Sequence, residues 1–170
     1  GLFLLSQPRL AVAEEPTPSA QLTALLDEIW EFGLVESPTF ATSLGDRRFN
    51  DRLAKVSPAD SARRYEQSKK FAARLAQIDR AGLAAAEQVN YDMLARQMRD
   101  DAAEFEFKSH LTPMDCRTAF HIEIPELRRD VPLDTVKDYE NYIARLRAFD
   151  EYATGHIELL RDGIAADVTQ

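Results

Sequence analysis

The residues of this sequence best suited to metal binding or nucleophilic chemistry are His110, His121, His156 and Cys116. A zinc peptidase helix carries His-Glu-x-x-His, because this spacing places both imidazoles on one helical face beside the glutamate. Here His121 and His156 are each followed by isoleucine and then glutamate, a spacing that does not bring two side chains together on a helix. The sequence therefore predicts no catalytic set, no metal site and no other cofactor in this chain.

A single cysteine excludes an intrachain disulfide and a zinc site built from several thiolates. Cys116 is expected to be a buried or unreactive thiol, since the sequence places no activating base beside it. The six glycines form neither a Gly-x-Gly-x-x-Gly phosphate loop nor a Gly-x-Ser-x-Gly turn. The sequence therefore contains neither this nucleotide-binding motif nor this hydrolase motif.

Three polar residues are the candidates for substrate binding. His121 lies on a proline-containing segment, and loops on a rigid scaffold often carry binding groups. Asp46 and Arg48 belong to a dense polar run at residues 46–52. That run is interpreted either as a substrate-facing patch or, preferably, as a surface loop with local ion pairs. His156 is expected to be a structural histidine, either exposed or hydrogen-bonded.

Apolar residues recur at helical spacing along most of the chain. A first helix is predicted to begin at a Ser19 cap and to bury a face formed by Leu22, Leu25, Leu26, Ile29 and Trp30. Ser37-Pro38 and Ser57-Pro58 predict the starts of two further helices, because serine caps a helix and proline suits its first position. Trp30 is assigned to the core.

A fourth helix is predicted through Val89, Met93, Leu94, Gln97, Met98 and Phe105, with a solvated charged face that includes Asp101 and Glu104. Thr135 and Asp138 resemble a capping box. That box predicts a fifth helix, whose apolar positions are Val136, Tyr139, Tyr142, Ile143, Leu146 and Phe149. A sixth helix follows through Ile157, Leu160 and Ile164.

Helical periodicity is lost between residues 111 and 133, where Pro113, Pro125 and Pro132 occur. The alternation of residues 120–124 (FHIEI) predicts a short strand or an extended segment there. The resulting division is a leader remnant and linker at 1–19, a helical region at 20–110, the irregular segment at 111–133 and a helical pair at 134–170. The fold class is all-α.

Composition and charge limit the classes of partner. The chain has 170 residues, 21 basic and 29 acidic, and a formal net charge of −8. An acidic chain lacks the electrostatic footprint needed for a phosphate backbone, so nucleic-acid binding is not expected. No apolar run is long enough for a stable membrane span.

The N-terminal residues predict export. A short apolar run at residues 1–5 precedes Ala11-Val12-Ala13, a small-x-small pattern typical of a signal-peptide cleavage site. Cleavage after Ala13 would leave Glu14 as the mature terminus, and the protein would be periplasmic or extracellular. A frayed, mildly apolar terminus is the alternative interpretation.

Five stretches, taken in order, resemble the bacterial family catalogued as domain of unknown function 885: residues 25–32 (LLDEIWEF), 37–49 (SPTFATSLGDRRF), 90–94 (NYDML), 138–146 (DYENYIARL) and 160–164 (LRDGI). The resemblance extends along nearly all of the chain from Leu22 onward. The sequence departs from the family pattern at Asp167, where a glycine is expected, and at Cys116, where a polar amide is more usual.

The resemblance implies an exported, largely helical protein similar to gluzincin-type zinc metallopeptidases. It also implies that the His-Glu-x-x-His helix and the zinc lie C-terminal to this chain, so no catalytic residue of the family is carried over to it. The chain is then expected to be scaffold or cleft wall of a protein acting on peptides, packed against its own C-terminal portion. The alternative is a non-enzymatic helical binding module of the cell envelope.

Overall fold

The computed structural model describes residues 16–114 and 119–168. Their regular structure is helical, with no strand, which confirms the all-α prediction. The predicted leader at residues 1–13 and the predicted thiol of Cys116 lie outside the described residues. The helices are α1 (Pro18–Glu36), α2 (Pro38–Ser43), α3 (Pro58–Leu75), α4 (Ala85–Glu106), α5 (Phe120–Glu126), α6 (Val136–Arg147) and α7 (Phe149–Ala165).

Local capping sets several of the helix starts. Ser57 accepts a hydrogen bond from the Asp60 amide at 3.2 Å, and Thr135 and Asp138 form the predicted reciprocal capping box. At α1 the predicted cap was wrong, because Thr17 caps the helix and Pro18 is its first residue. Ser19 lies inside the helix, where its hydroxyl donates to the carboxylate of Glu87 on α4.

The main apolar core lies between α1, α3 and α4. Its fully buried members are Leu22, Leu25, Phe71, Leu75, Ile78, Leu83, Leu94 and Met98. Trp30 is not among them: it is 54% exposed and makes an edge-to-face contact with Phe40 of α2 at 6.4 Å. The core assignment of Trp30 was wrong because α3 and α4 cover only the Leu22/Leu25 side of α1.

A second, polar cluster joins α2, the loop after it and α6. Arg145, which is 1% exposed, donates to the carbonyls of Pro38, Phe49 and Arg52 at 3.0 Å each and to the Thr42 hydroxyl at 2.5 Å. These contacts orient α6 with its polar side inward. Its apolar positions Val136, Tyr139, Ile143 and Leu146, named here the outer row of α6, are exposed.

Residues 120–124 form the start of α5 and not the predicted strand. Phe120, Ile124 and Leu127 follow the i, i+4, i+7 spacing of one helical face, which the alternating pattern conceals. Leu127 is buried and Ile124 packs on its cluster, whereas Ile122 is exposed. Pro125 lies inside this short helix, where it has no amide hydrogen for the His121 carbonyl, and the α-helix ends one residue later.

Candidate functional site

An open cleft of about 540 Å³ lies between α1, α3 and α4, within the usual size range of ligand sites. Its floor is apolar. Phe71, Leu94 and Met98 are buried beneath the floor, whereas Ile29, Phe32 and Phe105 are partly exposed in it. Phe32 and Phe71 meet edge to face at 5.6 Å. The partly exposed members therefore give the cleft an apolar surface that is accessible from outside.

Gly33 keeps one wall of the cleft open. It lies inside α1, and a Cβ added there would have no atom within 4 Å. Glycine is a poor helix former, so its presence in the middle of α1 lowers helix stability. The gap beside Gly33 thus exists because no side chain from α1 fills it.

Three rings form a column along the cleft. The Tyr65 ring stacks on Phe105 at 4.2 Å, and Phe105 stacks on His110 at 4.3 Å. The Nδ1 atom of His110 is buried and has no hydrogen-bond partner among the described residues. Burial and the nearby charge of Arg64 lower the pKa of His110, so its ring is neutral at pH 7.

Two carboxylates, Asp101 and Glu104, line the same cleft. Burial and the neighbouring carboxylates raise the pKa of Asp101, and neither residue takes part in an ion pair within the described part of the chain. Arg64 also lines the cleft, but Glu36 lies 3.6 Å away and the Lys55 carbonyl accepts from it at 2.7 Å. The uncompensated charge of the cleft is therefore negative.

The charged face of α4 is exposed as predicted, and Asp101 and Glu104 belong to it at the rim of the cleft. Asp101 follows Leu94 by seven residues and Met98 by three, so all three lie on one side of the helix. Helical periodicity was the available signal, and it places Asp101 at the end of the apolar stripe. The charged character of the neighbouring residues obscured it.

The predicted binding residues lie elsewhere. Asp46 caps a short turn after α2, and Arg48 bonds both Asp46 and Glu31 through its guanidinium nitrogens. The side-chain and backbone hydrogen bonds from Arg48 lower the pKa of Asp46. The pair therefore forms the local surface ion pairs preferred from the sequence, and a role in substrate binding stays a prediction.

His121 is exposed on α5, edge to face with Phe120. It is not among the described contacts of Asp46 or Arg48, so the structure does not assemble these residues into one site. Its role at a cleft stays a prediction.

His156 differs from its predicted environment. It is 8% exposed, stacks on Phe120 at 4.9 Å and meets Tyr152 edge to face at 4.7 Å. Neither ring nitrogen has a hydrogen-bond partner among residues 16–114 and 119–168, and burial lowers the pKa of the ring. The prediction of an exposed or hydrogen-bonded histidine was wrong, because tertiary packing on α5 decides its surroundings.

Neither a metal-binding cluster nor a membrane-spanning helix occurs among residues 16–114 and 119–168. Within that part of the chain, no group of three or more His, Cys, Asp or Glu residues is placed to hold a metal ion. None of the described helices combines the length and apolar character needed to cross a bilayer.

The fold and the cleft define a helical bundle protein with an open, acidic, partly apolar groove. The chain belongs to the family described as bacterial protein of unknown function (DUF885), whose model matches residues 38–170. The match covers most of the chain and confirms the family resemblance. No curated protein matched the chain.

Proposed function

We propose that this chain is the helical N-terminal wall of an exported, zinc-metallopeptidase-like protein that acts on peptides. The chain supplies scaffold and substrate contacts, and catalysis belongs to other residues of the protein. The observation that supports this role is the cleft between α1, α3 and α4, with its apolar floor and carboxylate-lined rim. Such a groove suits a peptide, which presents apolar and charged side chains side by side.

The metal in this proposal is held outside the present chain. Zinc bound by a His-Glu-x-x-His helix would polarise the scissile carbonyl and lower the pKa of an attacking water. The residues described here orient the substrate. Their contribution is positional, and small displacements of a bound substrate change peptidase rates strongly.

The second candidate, a non-enzymatic binding module of the cell envelope, is favoured by a different observation. The outer row of α6 has the 3–4–3 spacing of helix–helix seams, and Val136 at its start is 78% exposed. An exposed apolar row of this kind is typical of an interaction surface. The exposed outer row of α6 is compatible with a peptidase wall and with a binding module. The experiment must therefore test catalysis directly.

The experiment begins with the codons that follow Gln170 in the gene, which should encode His-Glu-x-x-His. The whole gene product is then assayed against a peptide library with and without a zinc chelator. We expect chelator-sensitive hydrolysis that Gly33→Phe lowers at least tenfold in kcat/KM, because phenylalanine would fill the cleft. Gly33→Ala, which leaves the cleft open, is the matched control. A gene product without the motif or without hydrolysis favours the binding module.

Export has its own test. The mature protein from a periplasmic or culture fraction should begin at Glu14, as determined by N-terminal sequencing. Recovery of the uncleaved N-terminus in the cytoplasm only would contradict the proposed location.

A further inference from the structure

The cleft combines two features that select a particular kind of side chain. Its floor is apolar, and its two carboxylates, Asp101 and Glu104, lie three residues apart on α4, where adjacent turns place them side by side. A lysine or arginine side chain has the matching form, an apolar stem that ends in a cation. A neutral apolar side chain matches only the apolar floor. A glutamate side chain is repelled by the two carboxylates.

The cations close to the cleft are engaged by other groups. Arg64 bonds the Lys55 carbonyl at 2.7 Å and the Ser61 hydroxyl at 3.2 Å, beside Glu36. Lys69 pairs with Glu66 at 2.6 Å, and its Nζ lies 4.6 Å from the centre of the Tyr65 ring. The carboxylates of the cleft are therefore not neutralised within the described part of the chain, and a bound cation would relieve their mutual repulsion.

The aromatic column contributes apolar contact beside the carboxylates. Phe105 is covered on its two faces by Tyr65 and His110, and Lys69 already lies over the Tyr65 ring, so these two rings offer no free face to a second cation. His110 does not repel a bound cation, because its ring is neutral at pH 7.

We propose that this cleft binds a basic side chain, lysine or arginine, of a peptide. The stem lies on the partly exposed apolar floor of the cleft, which includes Phe32, and the cation lies at Asp101 and Glu104. The inference rests on the proposed function for its peptide context, and it names the side chain that the cleft prefers. Binding to the 170-residue chain is a separate property from hydrolysis by the whole gene product, so the two can fail independently.

The test measures binding of three blocked tripeptides to the 170-residue chain by calorimetry: acetyl-Ala-Lys-Ala-amide and its norleucine and glutamate counterparts. We expect the lysine peptide to bind about tenfold tighter than the norleucine peptide at low salt, with a preference that shrinks at high salt. The glutamate peptide should bind weakest. NMR shifts of the His110 ring protons should saturate with the same affinity, which places the peptide in this cleft.

Two pairs of variants decide the assignment. Asp101→Asn with Glu104→Gln should reduce lysine-peptide affinity to the norleucine level. The control, Glu140→Gln with Asp150→Asn, also removes two negative charges. Its positions are exposed, as Asp101 and Glu104 are, but lie outside the cleft, so affinity should change less than twofold. Gly33→Phe should abolish binding of both peptides, and Gly33→Ala should retain it. Equal affinity for lysine and norleucine peptides, or an unaffected Asp101/Glu104 double variant, overturns the proposal whether or not the gene product is a peptidase.

Discussion

Replacing Arg145 by methionine tests which force orients α6. The methionine keeps an unbranched, flexible stem but removes every donor, so the carbonyls of Pro38, Phe49 and Arg52 lose their common partner. Arg145 also has no carboxylate partner among the described ion pairs, which makes it a buried cation held by dipoles. The two effects of the substitution therefore have opposite signs.

The magnitudes indicate which effect dominates. Hydrogen bonds to a charged group contribute about 1.5–3 kcal/mol each. Arg145 offers three hydrogens to its four acceptors, one on Nε and two on Nη2, so these bonds contribute at least about 4.5 kcal/mol. Burial lowers the pKa of Arg145 to about 10, and a shift of that size corresponds to a desolvation cost of about 3 kcal/mol. The net contribution is at least about 1.5 kcal/mol, a sizeable part of the 5–15 kcal/mol typical of a domain.

Urea denaturation followed by circular dichroism measures this loss. We expect Arg145→Met to lower the free energy of unfolding by at least about 1.5 kcal/mol. Arg145→Lys should also lower it, because an ammonium lacks the planar fork that reaches several acceptors. Arg147→Met, at an exposed position two residues away, should change it by less than about 0.5 kcal/mol. Wild-type or higher stability of Arg145→Met would refute the reasoning, since the buried charge would then be a net cost.

Three further substitutions have defined outcomes. Asp167→Gly should raise stability by about 0.5–1 kcal/mol in urea melts, because Asp167 has φ +57° after α7 and glycine adopts this conformation without strain. The lowered pKa of His156 means that stability is lost as pH falls below about 6.5. His156→Phe should therefore lose less stability between pH 7 and pH 5 than wild type, and an identical pH profile would contradict this. Trp30→Ala should cost about 1 kcal/mol in thermal melts, whereas a loss of 3–5 kcal/mol would indicate a core residue.

Features set by local sequence were predictable. The caps at Ser57 and Thr135 depend on residues within one helical turn, and both form as predicted. The glycine expected at position 167 coincides with a left-handed backbone, so the family pattern had marked a conformational requirement. Helix positions followed because apolar periodicity and capping are properties of short segments.

Burial was less predictable, because it depends on which elements meet. The spacing of Trp30 matches that of Leu22 and Leu25, yet only the latter two lie under α3 and α4. The cleft was missed for the same reason: Phe71 and Asp101 belong to different helices, and their common boundary appears only when α3 and α4 are packed. Apolar periodicity in a single sequence shows which residues share one face of a helix. It does not show which other helix covers that face.

The orientation of α6 shows how a polar contact can override an apolar pattern. Burying the outer row would gain roughly 1.5–3 kcal/mol for each large aliphatic side chain, yet the helix presents Ile143 and Leu146 to solvent. The inward side instead carries Arg145, whose bonds tie α6 to the chain on both sides of Phe49. Rotating α6 to bury its outer row would remove the guanidinium from those carbonyls and break its hydrogen bonds together. The guanidinium of Arg145, and not the apolar residues themselves, thus determines which face of α6 remains exposed and available for contact.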